Sequence, residues 1–251
     1  MATDSGLQTA AGDMPADVRH VLADLVTAAK DSFQDDLCSV ILFGSGAEGR
    51  LRATSDLNLL LVLKRFQQQR ADRFREPLRL AHVTAKAGAM FVLESELAAA
   101  AEVFAIKFGD IARRYRVLFG DLPAALQNVS TEAKREQLRQ MLMNLTLRLR
   151  HGYVVASLRE EQLALVIAET AGPLRSAAAT LLELEGQPVA SPKESLETVT
   201  RSLDGQDWGE MLRRISEARE SRRLPPGVAA PVMFRIMALV EAMRLRVQRL
   251  P

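Results

Sequence analysis

A glycine-rich turn between two apolar segments is the feature that most constrains how this chain can fold. Residues 38–43 form an apolar run that ends abruptly in Gly44-Ser45-Gly46. A second run, from Leu57 to Leu63, is apolar at every position except Asn58. Runs of this kind are typical of central strands that are covered on both faces. The segment therefore predicts two buried strands, with a tight turn at the end of the first.

The turn and the head of the second strand are suited to binding a phosphate and a metal ion. Glycines at the end of a strand let the backbone approach a phosphate closely, and a helix that starts there directs its free N–H groups at the anion. The hydroxyl of Ser45 is a further group that can donate a hydrogen bond to the phosphate. Asp56 heads the second strand, where its carboxylate either holds a divalent ion against the phosphates or stabilises the local turn. The reaction that suits this arrangement is in-line nucleotidyl transfer.

These residues resemble the signature of the DNA polymerase β-type nucleotidyltransferase superfamily, a Gly-Ser turn followed by Asp-x-Asp. Gly44 and Ser45 match the turn, and Asp56 matches the first aspartate. In that superfamily two aspartates of one strand and a third carboxylate from a neighbouring strand bind two metal ions. The resemblance extends over residues 15–120 in the order of elements, and the layout of a catalytic domain followed by a helical domain is similar to the kanamycin nucleotidyltransferase-like and minimal nucleotidyltransferase branches. The resemblance implies that the turn binds a nucleoside triphosphate and that Asp56 ligates Mg²⁺.

Several positions depart from the superfamily pattern. Asn58 stands where the second metal aspartate is expected, so it is either a weak neutral metal ligand or an ordinary hydrogen-bonding residue. Glu48 stands where an arginine is common, and its charge would repel a triphosphate unless Arg50 or Arg52 compensates as a nucleotide-binding residue. The nearest candidate for the third, catalytic carboxylate is Glu94, which is otherwise the exposed first residue of a helix.

The departures leave different functions open. One is a nucleotidyltransferase that uses Mg²⁺, bound weakly because of Asn58, to transfer a nucleoside monophosphate to an acceptor that the sequence does not identify. The alternative is a catalytically impaired pseudoenzyme that keeps the fold as a nucleotide-sensing or protein-interaction module. A third, an antitoxin-like subunit, would be supported by a neighbouring toxin gene.

The order of the predicted elements divides the chain into two domains after a flexible N-terminus at residues 1–14. Residues 15–127 mix helices with strands, and the later strands are expected at 90–93 and 116–119. Residues 128–251 show helical periodicity without strands. The predicted fold is α+β, a nucleotidyltransferase fold with a mixed sheet flanked by helices, followed by an all-α helical bundle. Pro77 is expected to break or kink its helix, and Gly172-Pro173 is expected to split the longest helical stretch.

Composition limits the partners. The 33 lysines and arginines against 31 acidic residues give a net charge of +2, which provides no general attraction to nucleic acid or anionic membranes. The arginines at 70–79 and 213–223 have acidic neighbours, so we expect solvated helix faces there and no nucleic-acid binding. The sequence shows no secretory signal and no apolar run near the roughly 20 residues of a membrane span. We expect a cytoplasmic protein whose helical domain supplies a homo-oligomer or partner-protein surface.

Overall fold

The computed structural model describes residues 14–48, 56–127, 129–189, 191–203 and 208–250. The chain divides into two compact units, Met1–Ser130 and Thr131–Pro251, and each is described here by itself. Most of the N-terminus that we predict to be flexible lies outside the described residues. Met14 is the exception, since its side chain is buried in the core of unit 1.

Unit 1 is built on a four-stranded sheet. Its strands are β1 (Leu37–Phe43), β2 (Leu57–Leu63), β3 (Ala87–Leu93) and β4 (Tyr115–Phe119), and its helices are α1 (Ala16–Phe33), α2 (Gln68–Ala85), α3 (Leu97–Val103), α4 (Ala105–Arg113) and α5 (Ala124–Gln127). The spatial order of the strands is β3-β2-β1-β4. β1 is antiparallel to both β2 and β4, whereas β2 and β3 are parallel. The sheet is therefore mixed, as predicted, and α2 supplies the crossover that a parallel pair requires.

Both faces of the sheet are covered, which explains why β2 is apolar at almost every position. Leu57, Leu59 and Leu61 enter the core formed with α1 and α2. Leu60 and Val62 enter the opposite core, formed with α3, α4 and α5. Successive side chains of a strand point to opposite faces, so a strand between two helical layers needs apolar residues throughout. Each buried leucine stabilises the fold by about 2 kcal/mol.

The helix that we expected to split at Gly172-Pro173 is continuous, and so is the helix that contains Pro77. Pro77 lies inside α2, and Pro173 lies inside a single helix that runs from Glu160 to Leu184. An internal proline removes one backbone hydrogen bond and costs about 3 kcal/mol. Around Pro173 burial offsets this cost, because Ala171 and Leu174 are fully buried on either side of it. Local propensity alone therefore gives the wrong boundary here.

β3 begins three positions before its predicted start at residue 90, with Ala87 as its first residue. Alanine and glycine are poor strand formers, so residue types alone do not predict a strand at residues 87–89. The regular parallel pairing of Leu57 with Ala87 and of Asn58 with Gly88 extends the strand. Tertiary pairing outweighs propensity at these positions.

Unit 2 consists of helices in its described part. They are α6 (Thr131–Ala156), α7 (Glu160–Leu184), α8 (Pro192–Arg201), α9 (Trp208–Ser221) and α10 (Ala229–Gln248). The central helix is α7, which packs against the other four. Ser191 caps α8, since its hydroxyl accepts a hydrogen bond from the backbone N–H of Glu194 at 3.2 Å. This arrangement is the helical bundle that the sequence predicts.

The arginine-rich helix faces carry ion pairs between neighbouring turns. On α2, Arg75 pairs with Asp72 and Arg79 pairs with Glu76, each at 2.6 Å. On α9, Arg214 bridges Glu210 and Glu217. Pairs of this kind are typical of solvated helix faces. Among the helices described, none is both long enough and apolar enough to cross a membrane.

Candidate nucleotide-binding site

The turn at Gly44–Gly46 follows β1 directly, and its first residue has a backbone conformation that favours glycine. Ile41 and Leu42 are fully buried, so the last residues of β1 are held firmly. Gly44 has a φ of +76°, in the left-handed region that costs other residues about 1–2 kcal/mol. A Cβ at this position would meet open space, so the backbone conformation and not steric clearance selects glycine. The turn closes with a 3.0 Å hydrogen bond from the N–H of Ala47 to the carbonyl of Gly44.

Asp56 and Asn58 lie beside this turn because β1 and β2 are antiparallel neighbours. Phe43, the last residue of β1, pairs with Asn58, so the end of β1 lies next to the beginning of β2. Asp56 is exposed and Asn58 is half-buried. The amide nitrogen of Asn58 donates to the main-chain oxygen of Asp56 at 3.4 Å. The amide oxygen is then the atom that Asn58 can offer to a cation.

The strand positions on either side of Asn58 carry no further carboxylate. Its neighbour on β3 is Gly88, and its neighbour on β1 is Phe43. Within the described ranges, no group of three histidine, cysteine, aspartate or glutamate side chains could hold a metal ion. The residues that are present fit a single Mg²⁺, since this ion is commonly bound through one or two protein oxygens together with substrate phosphates. They do not supply the three carboxylates of a two-metal site.

Glu94 lies at the opposite end of the sheet from Asn58. Because β2 and β3 are parallel, with Leu63 next to Leu93, Glu94 follows the far end of the pair. The length of the strands separates it from Asn58 by roughly 20 Å at about 3.3 Å per residue. Its carboxylate instead lies 4.0 Å from the sulfur of Cys38. This placement contradicts the expectation that Glu94 supplies the third carboxylate.

Burial, and after it the charge of Glu94, raise the pKa of the Cys38 thiol above its ordinary value. Cys38 and Glu94 thus interact with each other, away from the turn. Arg50 and Arg52, the predicted nucleotide-binding arginines, lie outside the described residues. The helix that the sequence predicts directly after the turn would also fall mostly in that stretch.

Two arginines at the start of β4 hold the turn, although nothing in the sequence pattern identified them. The main-chain oxygen of Arg114 accepts a hydrogen bond from the N–H of Gly44 at 3.0 Å. The side chain of Arg116 donates to the main-chain oxygen of Ala47. These contacts fix the first residue of the turn and the residue that follows it. They depend on the pairing of β4 with β1, which local sequence cannot show.

Arg114 also compensates the charge of Glu48. A guanidinium nitrogen of Arg114 lies 3.5 Å from the Glu48 carboxylate, and the same side chain pairs with Asp110. Burial alone would lower the pKa of Arg114, but its hydrogen bond to Asp110 and the charges of Asp110 and Glu48 outweigh burial and raise it. The guanidinium therefore stays charged. The repulsion that we expected between Glu48 and a triphosphate is reduced accordingly.

Comparison with curated proteins finds similarity over a short stretch. No family model matches the chain. Over 58 residues the chain is 38% identical to a Methanocaldococcus jannaschii protein named "Putative protein adenylyltransferase MJ1305". The match covers 23% of this chain and 40% of that relative, so the chain spans less than half of the relative's length.

Solved structures show the similarity of the fold. Spectinomycin adenyltransferase AAD(9) from Enterococcus faecialis, crystallised with ATP and spectinomycin, aligns with a TM-score of 0.60 and 12% identity over 92% of this chain and 99% of its own. A nucleotidyltransferase-like protein from Exiguobacterium sibiricum aligns over 90% of this chain and 74% of its own, at 11% identity and a TM-score of 0.36 that is too low for a fold comparison. Together with the Gly-Ser turn and the adjacent Asp56, these findings show that the chain has the nucleotidyltransferase fold and is related to the nucleotidyltransferase superfamily.

Proposed function

We propose that this chain binds a nucleoside triphosphate at the Gly44–Gly46 turn and transfers its nucleoside monophosphate group to an acceptor. The observation that carries the proposal is the pairing of Phe43 with Asn58, which places the left-handed Gly44 beside Asp56 at one edge of the sheet. Backbone N–H groups for phosphate and oxygen atoms for a cation are thereby brought together. The ATP complex of the structurally similar AAD(9) supports a nucleoside triphosphate as the substrate.

Each residue has a distinct part in this proposal. The turn backbone and the hydroxyl of Ser45 bind the phosphates, and the oxygens of Asp56 and Asn58 would hold one Mg²⁺. When bound, this ion would neutralise phosphate charge as the pyrophosphate leaves. In the transfer, an oxygen of the acceptor forms a bond to the α-phosphorus, and the bond from that phosphorus to the bridging oxygen breaks. Pyrophosphate departs with the electron pair, and the proton of the acceptor passes to solvent.

A pseudoenzyme that binds nucleotide without transferring it is the second candidate. The observation that favours it is the pairing of Asn58 with Gly88 and Phe43, neither of which has a carboxylate. Among the described residues at this end of β1, β2 and β3, the carboxylate beside Asn58 is then that of Asp56. A site with one carboxylate attracts Mg²⁺ less strongly than a site with three. Nucleotide binding would then act as a signal that the helical unit passes to a partner.

We also infer that residues 15–127 and 128–251 are separate domains, and the division of the structure after Ser130 supports this. Self-association or partner binding through the helical domain stays a prediction. Its support is the strong exposure of Val154 and Leu158, at 76% and 96%, because large apolar side chains that are exposed together often mark interaction surfaces.

The test is calorimetric titration with ATP, GTP, CTP and UTP, with and without Mg²⁺. The native protein is compared with Asp56→Ala and with Asp121→Ala, which removes an exposed aspartate just after β4, at the other end of the sheet. We expect Mg²⁺-dependent binding in the native protein and Asp121→Ala, and its loss in Asp56→Ala. Release of pyrophosphate with candidate acceptors then separates the two functions, since only the transferase gives product. Absence of binding of all four nucleotides would rule out both.

A further inference from the structure

Lys107 of α4 lies at the same edge of the sheet as the proposed nucleotide site. Its ammonium nitrogen lies 5.8 Å from the centroid of the Phe43 ring. Phe43 immediately precedes Gly44 and is the cross-strand partner of Asn58. Directly opposite residues in an antiparallel pair have their Cβ atoms about 5 Å apart and on one face. Lys107 and Asn58 therefore lie on the same side of the sheet, at the end of β1.

The side of α4 that carries Lys107 faces the turn. Lys107 and Asp110 are three residues apart on α4, a spacing that places their side chains on one side of the helix, and Arg114 directly follows the helix. Arg114 contacts Glu48 through its side chain and Gly44 through its main chain. Asp110 pairs with Arg114 on that side of α4, and Lys107 lies on the same side about one turn earlier. The ammonium group of Lys107 lies over the ring of Phe43.

The charge of Lys107 is available to a ligand, in contrast to that of Arg114. The Arg114 guanidinium is engaged by Asp110 and Glu48. Lys107 is exposed, and its contact with described residues is the face of the Phe43 ring. The Phe43 ring is only half-buried and the ammonium lies 5.8 Å from its centroid, so the cation is held weakly and a phosphate oxygen can compete for it. Lysine is a common phosphate ligand in proteins because its ammonium acts as a compact point charge.

We infer that Lys107 binds the phosphates of the nucleotide and supplies positive charge on the side where Asn58 replaces a metal-binding aspartate. This inference rests on the proposed nucleotide site, which it extends by one residue from outside the sequence motif. The ammonium would contact the end of a triphosphate whose other oxygens lie against the turn. A chain that recruits metal weakly can in this way still neutralise part of the charge of the triphosphate.

Lys30 provides a matched control. Its ammonium lies 5.3 Å from the centroid of the Phe119 ring, so it makes the same kind of contact with a residue of the sheet. Phe119, however, pairs with Val40 and lies towards the other end of the sheet. Replacing Lys30 removes an equivalent cation–ring contact without touching the proposed site. An effect that is confined to Lys107 is therefore an effect of its position.

The experiment titrates the full-length native protein, Lys107→Gln, Lys107→Arg and Lys30→Gln with MgATP and, separately, with inorganic tripolyphosphate. We expect Lys107→Gln to weaken the binding of both ligands by about tenfold or more, the effect of losing one charge-assisted contact. Lys107→Arg should recover most of the affinity, and Lys30→Gln should bind as the native protein does. Far-ultraviolet circular dichroism confirms that the variants are folded, which is expected because Lys107 is exposed and Lys30 is only half-buried.

The outcomes separate the two proposals. Equal affinity of the native protein and Lys107→Gln for both ligands overturns the role of Lys107 and leaves the proposed function intact. Binding of tripolyphosphate that depends on Lys107, without binding of any nucleotide, overturns the proposed function and supports a phosphate site at Lys107. A loss of affinity that is equal in Lys30→Gln and Lys107→Gln also overturns the inference, because it shows a general effect of charge.

Discussion

The guanidinium of Arg114 lies 3.5 Å from the carboxylate of Glu48, and this pair ties the start of β4 to the segment that follows the Gly44–Gly46 turn. Both side chains are largely shielded from water, with exposures of 18% and 22%. A residue that by its charge alone should oppose phosphate binding thus becomes part of what holds the turn in place.

Arg114→Gln should destabilise the protein and weaken nucleotide binding together. The substitution leaves the shielded carboxylate of Glu48 without its guanidinium partner and leaves Asp110 paired with Arg113 alone, which costs about 2 kcal/mol in the free energy of unfolding. The double variant Arg114→Gln/Glu48→Gln should recover part of this loss. Urea denaturation of the two single variants and the double variant measures the coupling.

Arg113→Gln serves as the control for that cycle, since it removes the neighbouring guanidinium, which lies 3.5 Å from Asp110. Additive effects of the Arg114 and Glu48 substitutions would show that the two side chains do not stabilise one another.

Glu94→Gln should change the chemistry of Cys38 and leave nucleotide binding unaltered. Burial and the negative charge of Glu94 both raise the pKa of the thiol, so removal of the charge should lower the pKa and speed alkylation by iodoacetamide at pH 8. Folding favours the protonated thiol. The stability that Cys38 contributes is therefore complete below its ordinary pKa of 9.0 and is lost as the pH rises through the raised value.

Glu102→Gln, an exposed substitution on α3, is the control for both readouts. Weaker MgATP binding in Glu94→Gln alone would mean that its carboxylate reaches the nucleotide site after all.

Asn58→Asp should strengthen Mg²⁺-dependent nucleotide binding by about tenfold, because a second carboxylate beside Asp56 attracts the cation. Without Mg²⁺ the same substitution should weaken binding, since the new charge repels the phosphates. The two opposite changes in affinity are measured by titrating the protein with ATP, once in the presence of Mg²⁺ and once in the presence of a chelator. Tighter binding under both conditions would show that residue 58 does not act through a metal ion.

Two glycines of unit 1 should respond differently to alanine. Gly44→Ala meets open space and should cost about 1–2 kcal/mol through its φ of +76° alone. Gly120 has a φ of +71°, and a Cβ there would lie 2.1 Å from the main-chain oxygen of Cys38. Gly120→Ala should therefore cost about 3 kcal/mol or more, since the backbone itself must move.

The free energies of unfolding in urea rank the two variants, and MgATP titration of Gly44→Ala reports on the shape of the turn. A smaller loss of stability for Gly120→Ala than for Gly44→Ala would contradict the close approach of β4 to β1.

The parts of the site that the sequence predicted are those encoded locally. The turn at Gly44 and the polar start of β2 follow from residue type and spacing within a short segment, and the fold relation followed from them. The position of Glu94 could not be predicted, because only the parallel register of β2 and β3 shows which end of β3 lies beside Asn58.

The roles of Arg114 and Arg116 depend on the pairing of β4 with β1, which are far apart in the chain. The residues around these two arginines are of types found in many charged turns, so they do not indicate a role. The continuous helix at Pro173 was mispredicted for a related reason. Propensity near a proline is local, whereas the burial that keeps α7 intact comes from the helices packed around it.

The hydrogen bond from Arg116 to Ala47 spans 69 residues of chain, and this spacing has a consequence for how the protein is made. Ribosomes add roughly 5–20 residues per second, so the residue that clamps the turn emerges roughly 3–14 s after the turn itself. A nascent chain that has reached β2 already carries Gly44, Asp56 and Asn58 but lacks their support. We therefore expect the growing chain to bind nucleotide only after β4 has joined the sheet. Nucleotide binding during synthesis would then indicate that the sheet of the first unit is complete.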